Sequence, residues 1–191
     1  ITKLLHEQRE VVYPIIEWSQ TMAILQICTF PEKVLTQPAE PITDIDEEVI
    51  KLADHMAKTM YNAPGIGLAA TQVGVAKRLL VADIAPREPE SKLIVLVNPE
   101  IVAAEGEVII EEGCLSVPEY QAEVKRHEKI TVRGLDLNGE EVEIEAEGLL
   151  AVVLQHEIDH LNGLLFIDRL SKLKRDLVKR RLRKKKAKEK S

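Results

Sequence analysis

The stretch Gly148-Leu149-Leu150-Ala151-Val152-Val153-Leu154-Gln155-His156-Glu157-Ile158-Asp159-His160-Leu161-Asn162-Gly163 joins an apolar run to two histidines four residues apart. At about 3.6 residues per turn, positions i and i+4 share one helix face, so His156 and His160 aim their imidazoles at a single point with Glu157 beside them. That is the geometry of a metal clamp with an adjacent carboxylate. Gly148 marks the helix start and Asn162-Gly163 its end, where glycine suits a helix C-terminus. The triplet alone also fits a partly buried helix that carries two histidines, and it does not name a chemistry.

Immediately upstream, Lys129–Leu135 and Glu141–Ala146 flank Asn138-Gly139, a strong hairpin signal, with Ile130, Val132, Val142, Ile144 and Ala146 alternating against polar residues. Earlier apolar runs at Leu79–Ala82, Leu93–Val97 and Val108–Ile110 predict strands, and Pro86 and Pro89 mark a surface loop between the first two. The run Glu111-Glu112-Gly113-Cys114-Leu115-Ser116-Val117-Pro118 sets a cysteine at a strand end, where it could face a cleft. A lone cysteine is more often inert packing. Asp44 followed by Glu47 has the form of a capping box. Val49, Ile50, Ala53, Met56, Ala57 and Met60 then predict an amphipathic helix ending near Asn62, stopped by Pro64 and Gly65. Gly65-Ile66-Gly67-Leu68-Ala69-Ala70 matches a loose dinucleotide-binding pattern, but a helix and a proline precede it where a strand is required, so that function is rejected. What remains is an extended glycine segment open to close approach by a ligand, ending in Gln72, which by itself reads as a solvated loop residue. Ile24–Ile27 suggests a short strand or extended segment.

At 191 residues the chain suits one domain with a sizeable core. Its formal charge of -6 hides an asymmetry: residues 171–191 carry 12 Lys+Arg against 2 Asp+Glu, leaving 14 against 30 in residues 1–170. Leu170, Leu173, Leu177 and Leu182 predict an apolar stripe on a last helix, whose basic end is expected to be solvated or bound to something acidic. Cys28 and Cys114 are too few for a disulfide framework, which favours a reducing compartment. No stretch is long and apolar enough to span a bilayer, and no secretory signal is evident, so a cytoplasmic location is expected. Residues 1–21 differ in character from the rest of the chain and read as an extension, with Met22 the more natural start.

Two histidines leave a metal under-coordinated, and the third ligand decides the family. A metzincin needs a histidine six residues after His160, where this chain has Phe166. A thermolysin-like peptidase needs a downstream glutamate, and Glu189 lies deep in the basic tail. Cys114 is a good ligand by type. With these blocks in view, the chain resembles the bacterial-type peptide deformylases. Three blocks in the family's order carry the resemblance: Gly65-Ile66-Gly67-Leu68-Ala69-Ala70-Thr71-Gln72, Glu112-Gly113-Cys114-Leu115-Ser116 and Gln155-His156-Glu157-Ile158-Asp159-His160. The similarity runs from about Met22 to about Leu173.

The resemblance implies an α+β fold with antiparallel strands around the metal-binding helix, plus a C-terminal helix. It divides the chain into an N-terminal extension (1–21), a catalytic domain (22–170) and a basic tail (171–191). Cys114, His156 and His160 are implied to bind one divalent ion, usually Fe2+, with Ni2+, Co2+ or Zn2+ as substitutes. Glu157 is implied as general acid/base to a metal-bound water, and Gln72 and the Leu115 backbone N–H as oxyanion donors. Gly67, Ile110, Gly113, Leu149, Val152 and Val153 are implied to contact an extended N-formylmethionyl nascent peptide, whose formyl group leaves as formate. Core packing is an equal expectation for Leu149, Val152 and Val153. Two rival functions stay open, a zinc endopeptidase and a ribosome- or RNA-associated protein binding through residues 171–191. No membrane or DNA partner is expected.

Overall fold

The computed structural model describes residues 24–85 and 92–189. The extension, the Met22 start and the Pro86–Pro89 loop fall outside the described residues. A five-stranded antiparallel sheet runs in the order β1 (Gly67–Ala69), β2 (Leu79–Ala82), β3 (Ile94–Glu105), β6 (Lys129–Leu135) and β7 (Glu141–Glu147). A separate antiparallel ribbon pairs β4 (Val108–Cys114) with β5 (Val117–Arg126). Among the described residues the α-helices are α1 (Glu47–Asn62), α2 (Gly148–Leu161) and α3 (Lys172–Glu189). None of them is long and apolar enough to cross a membrane.

β2 shows why the sheet is central. Its four residues are all buried, Leu80 and Ala82 within the cluster that holds α2, Leu79 and Val81 within the cluster that holds α1. A strand covered on both faces needs an unbroken apolar run, which is what Leu79–Ala82 supplies. Ile130, Val132 and Ala146 extend the α2 side, against Ala151, Leu154, Ile158 and Leu161 of the helix. A third cluster joins Val117 and Val124 of the ribbon to Phe30, Leu35, Leu165, Phe166, Ile167 and, from α3, Val178 and Leu182.

Helix α2 is buried from Ala151 through Leu161 on every side, polar residues included. It ends in a Schellman motif: Gly163 N–H donates to His160 O (3.1 Å) and Leu164 N–H to Asp159 O (2.9 Å). Gly163 sits at φ 75°, and a Cβ there would lie 2.8 Å from the Gln37 carbonyl carbon, so glycine is required twice over.

Several expectations need correction. The cap of α1 is Asp46, whose Oδ1 accepts from Glu48 and Val49 N–H (3.0 and 2.9 Å), not Asp44; the Asp side chain must lie one residue before the first helical N–H groups to reach them. Ile24–Ile27 forms no regular strand; Leu25 N–H is taken by the Thr59 hydroxyl (2.9 Å) instead of a neighbouring strand. β3 continues to Glu105 through bulges into exposed residues, and β5 went unanticipated because its Pro118-Glu119-Tyr120-Gln121 start lacks an apolar run. The β6–β7 connection spans residues 136–140, held by Asp136 Oδ1 accepting from Asn138 and Glu140 N–H, with Gly139 at φ 81°. The apolar stripe of α3 is also revised. Leu182 packs as expected and Leu170 lies against the third cluster, but Leu173 and Leu177 are 72% and 48% exposed and Val178 packs in their place.

Candidate metal centre and substrate cleft

Cys114 closes β4, while His156 and His160 lie one turn apart on α2. Cys114 Sγ is 3.2 Å from His160 Nε2, which is 3.2 Å from His156 Nε2, and all three donor atoms lie within 4.8 Å of one another. Two ligand atoms held at about 2.0–2.3 Å from one tetrahedral ion lie about 3.3–3.8 Å apart, close to the spacing here, which a shared cation needs only to widen slightly. The donor chemistry fits as well. A thiolate and two imidazoles suit several first-row divalent ions, and among the described residues this is the one cluster of its kind.

The His156 imidazole is oriented from outside the cluster, whereas the buried His160 Nδ1 has no hydrogen-bond partner. Glu112 Oε2 lies 2.8 Å from His156 Nδ1, which fixes the proton there and leaves the Nε2 lone pair able to bind a cation. Burial alone depresses the His156 pKa, but Cys114 and Glu112 outweigh it and raise it well above the usual value in the metal-free protein. His160 moves the other way, held low by burial and by the neighbouring His156 and Arg126 charges. Burial raises the Glu112 carboxyl, yet the Arg126 and His156 contacts win and hold it at about 2.

Glu157 is 4% exposed, and its Oε2 has no hydrogen-bond partner. Burial, only partly offset by the His156 and Arg126 charges, lifts its pKa to about 7. Its carboxylate rests against the backbone of Gly67, where an added Cβ would lie 2.4 Å from Oε1. A side chain at 67 would therefore push the Glu157 carboxylate out of its place.

Gln72 is 2% exposed, which corrects its reading as a solvated loop residue. It lies in a 3-10 turn, residues 70–73, directly after β1. Its Oε1 accepts from Ala69 N–H (2.8 Å), which turns the amide so that Nε2 faces Cys114 Sγ (3.6 Å) and Ser116 Oγ (3.3 Å). Its backbone carbonyl is held by Cys28 N–H at 2.7 Å.

These groups open onto a cleft of about 700 Å³ between β1, the β4–β5 ribbon and the first turns of α2. Gly67, Gln72, Ile110, Gly113, Cys114, Leu115, Leu149, Val152, Val153, His156 and Glu157 all line it, while His160 lies behind them, 1% exposed. Val152 and Val153 are also packed, at 5% and 6% exposure, so packing and lining are not exclusive. Phe166, where a metzincin would have its third histidine, is a core residue with its ring centroid 6.1 Å from that of His156.

Sequence reasoning passed over Arg126, Asp159, Arg169 and Ser116, and assigned no role to Glu112. Arg126 reaches Glu112 and Asp159 across 14 and 33 residues of chain, so no local spacing could reveal it. The one available signal was Asp159, a carboxylate inside a helix that is apolar apart from Gln155, Glu157 and the two histidines.

The polypeptide deformylase family model matches residues 24–176. A peptide deformylase of Syntrophobacter fumaroxidans is 58% identical over 164 residues, 86% of this chain and 96% of that one. The crystal structure of a peptide deformylase from Legionella pneumophila superposes with a TM-score of 0.79 at 50% identity, over 87% of this chain and 98% of that one. The Ehrlichia chaffeensis peptide deformylase in complex with actinonin gives 0.80 at 45% identity, over 86% and 98%.

Proposed function

The chain belongs to the polypeptide deformylase family, and from that premise we propose that it removes the N-formyl group from the initiator formyl-methionine of nascent polypeptides, releasing formate. It is a metallohydrolase acting on a linear amide. The observation that supports this most is the convergence of Cys114, His156 and His160 beside Glu157 and Gln72 in one cleft. We assign the reaction to residues 22–170, working in the cytoplasm where nascent chains emerge.

What a divalent ion held by Cys114, His156 and His160 supplies is Lewis acidity and a water of lowered pKa. We take Fe2+ as the ion in the cell, with Ni2+, Co2+ or Zn2+ able to replace it. Glu157 accepts the proton of the attacking water as the formyl carbon becomes tetrahedral. It then returns that proton to the departing amine, so the C–N bond breaks to give formate and a free N-terminus. Gln72 Nε2–H and the Leu115 backbone N–H donate to the oxygen that gains charge. The peptide lies extended between Gly67 and the β4 strand. Its methionine side chain meets Ile110, Leu149, Val152 and Val153 beside Gly113, and backbone pairing accepts many downstream sequences.

The test is formate release from a formyl-Met peptide by protein purified without oxygen, compared with a Gln72→Leu variant. Loss of one oxyanion donor raises the barrier by on the order of 3 kcal/mol, so kcat falls about 100-fold while KM changes little. Cleavage of internal peptide bonds without formate would restore the endopeptidase reading, which otherwise lacks support. A rise in KM alone would remove Gln72 from the oxyanion role.

A second reading concerns α3. Lys179, Lys185 and Lys186 are engaged by Asp168, Glu119 and Thr29, so part of its charge is spent on the body of the protein. We infer that the outward basic residues, Arg180 and Arg181 among them, contact an anionic surface such as ribosomal RNA. Co-sedimentation with ribosomes should weaken when residues 171–191 are deleted and as salt rises. Unchanged sedimentation of the truncated chain overturns it.

A further inference from the structure

We infer that Arg126, and through Asp159 also Arg169, are positioning residues that set the distance between the two elements carrying the metal ligands. The inference rests on the Cys114, His156 and His160 metal centre of the proposed function. Cys114 belongs to the β4–β5 ribbon and both histidines to α2, and these elements belong to different packed units, so some group must hold them in register. Arg126, at the end of β5, does so with its side chain fully buried. Its Nε and Nη2 grip both oxygens of Glu112 at 2.6 and 2.9 Å, two residues before Cys114 on β4. Its Nη1 donates to Asp159 Oδ2 at 2.5 Å, the residue between Glu157 and His160 in order along α2. Glu112 in turn receives His156 Nδ1–H.

A planar guanidinium with a two-point grip on one carboxylate has little freedom to shift, so it transmits position as well as charge. One arginine between two buried carboxylates would leave a net negative charge beside the ligands. Arg169 removes it. From the turn ahead of α3 it donates Nε and Nη2 to Asp159 at 2.5 and 2.6 Å, again with two points of contact. The chain of contacts Arg169, Asp159, Arg126, Glu112 and His156 therefore begins at a partly exposed side chain and ends on a ligand.

A purely structural network would hold the fold together and leave metal affinity alone, and this separates the two explanations. Co2+ affinity by chelator competition, the visible Co2+ spectrum and urea unfolding of the metal-free protein are measured for parent, Arg126→Lys, Arg169→Gln and Arg169→Lys. Removing a partner that orients a ligand typically costs about 10- to 100-fold in affinity, the range expected for Arg126→Lys. Arg169→Gln, one link further out, should lose about 3- to 10-fold with shifted ligand-field bands, and Arg169→Lys should recover part of the loss because charge returns without the fork. Arg169 is 39% exposed and belongs to none of the three hydrophobic clusters, so its variants are expected to fold and decide the matter even if Arg126→Lys does not. Affinities within twofold of the parent and an unchanged spectrum in Arg169→Gln overturn the inference, whatever happens to urea stability. A parent that fails to bind Co2+ overturns the metal centre itself, and the inference with it.

Discussion

Glu157→Gln is expected to lower kcat for formate release by about 1,000-fold, within the range that general acid–base groups contribute, while metal content and KM stay near those of the parent. The substitution is close to isosteric, so the packing against Gly67 that leaves no room for a Cβ there is retained. His156 and His160, its neighbours on α2, keep their Nε2 atoms converged with Cys114 Sγ. What the amide loses is the ability to take up a proton. In the metal-free protein burial raises the Glu157 carboxyl to about 7, which marks an oxygen pair that water does not solvate and that exchanges a proton readily near neutrality. The Oε2 atom, buried and without a partner, is available to the reacting water. Single-turnover formate release with Ni2+-loaded protein checks this, and a variant within tenfold of the parent rate would remove Glu157 from the proton-transfer role.

Cys114→Ala is expected to abolish both metal retention and formate release. Two imidazoles alone leave a divalent ion short of the three protein ligands that catalytic sites of this kind use. Alanine supplies neither the charge of a thiolate nor its reach toward His160 Nε2. The fold should survive, because Cys114 is half-buried at the margin of the third cluster and contributes little of its packing. Elemental analysis after gel filtration should find metal in less than about one chain in ten, against near-stoichiometric metal in the parent. Metal retained at parent levels, with turnover intact, would mean that another residue completes the coordination. The two variants also separate roles that a single assay would blur: Glu157→Gln keeps the ion and loses the proton transfer, and Cys114→Ala loses the ion itself.

Much of the scaffold could be read from spacing. The run Leu79–Ala82 is β2 to the residue, Lys129–Leu135 is β6, and α1 ends at Asn62 as its three- and four-residue apolar repeat predicts. These agree because periodicity and turn residues are local properties. The misreadings share the opposite cause. Gln72 looked solvated because an amide in a glycine-rich stretch carries no local mark of burial; its environment is supplied by Ala69, Ser116 and the Cys28 backbone. Leu173 and Leu177 looked like a packing stripe because hydrophobicity alone does not say which face of a helix meets a partner. Phe30 and Ile167 of the third cluster select the face that carries Val178 beside the expected Leu182.

The amino-acid sequence by itself determined the clamp: a four-residue spacing puts His156 and His160 on one face of any α-helix, with Glu157 beside them, whatever surrounds it. The order of three short motifs further pointed to the family. Only the tertiary structure decided that Cys114, far upstream of both histidines in the chain, comes within 3.2 Å of His160, and that Glu157 lies against Gly67 so closely that a side chain there would displace it. It also disclosed the buried Arg126, whose ion pairs link the ribbon to the helix, and the partly exposed Arg169 that pairs with the same Asp159. The physical reason is range. Helical periodicity acts over a turn or two of chain, whereas ligand distance, desolvation and charge balance are set by whichever distant elements the core packs together.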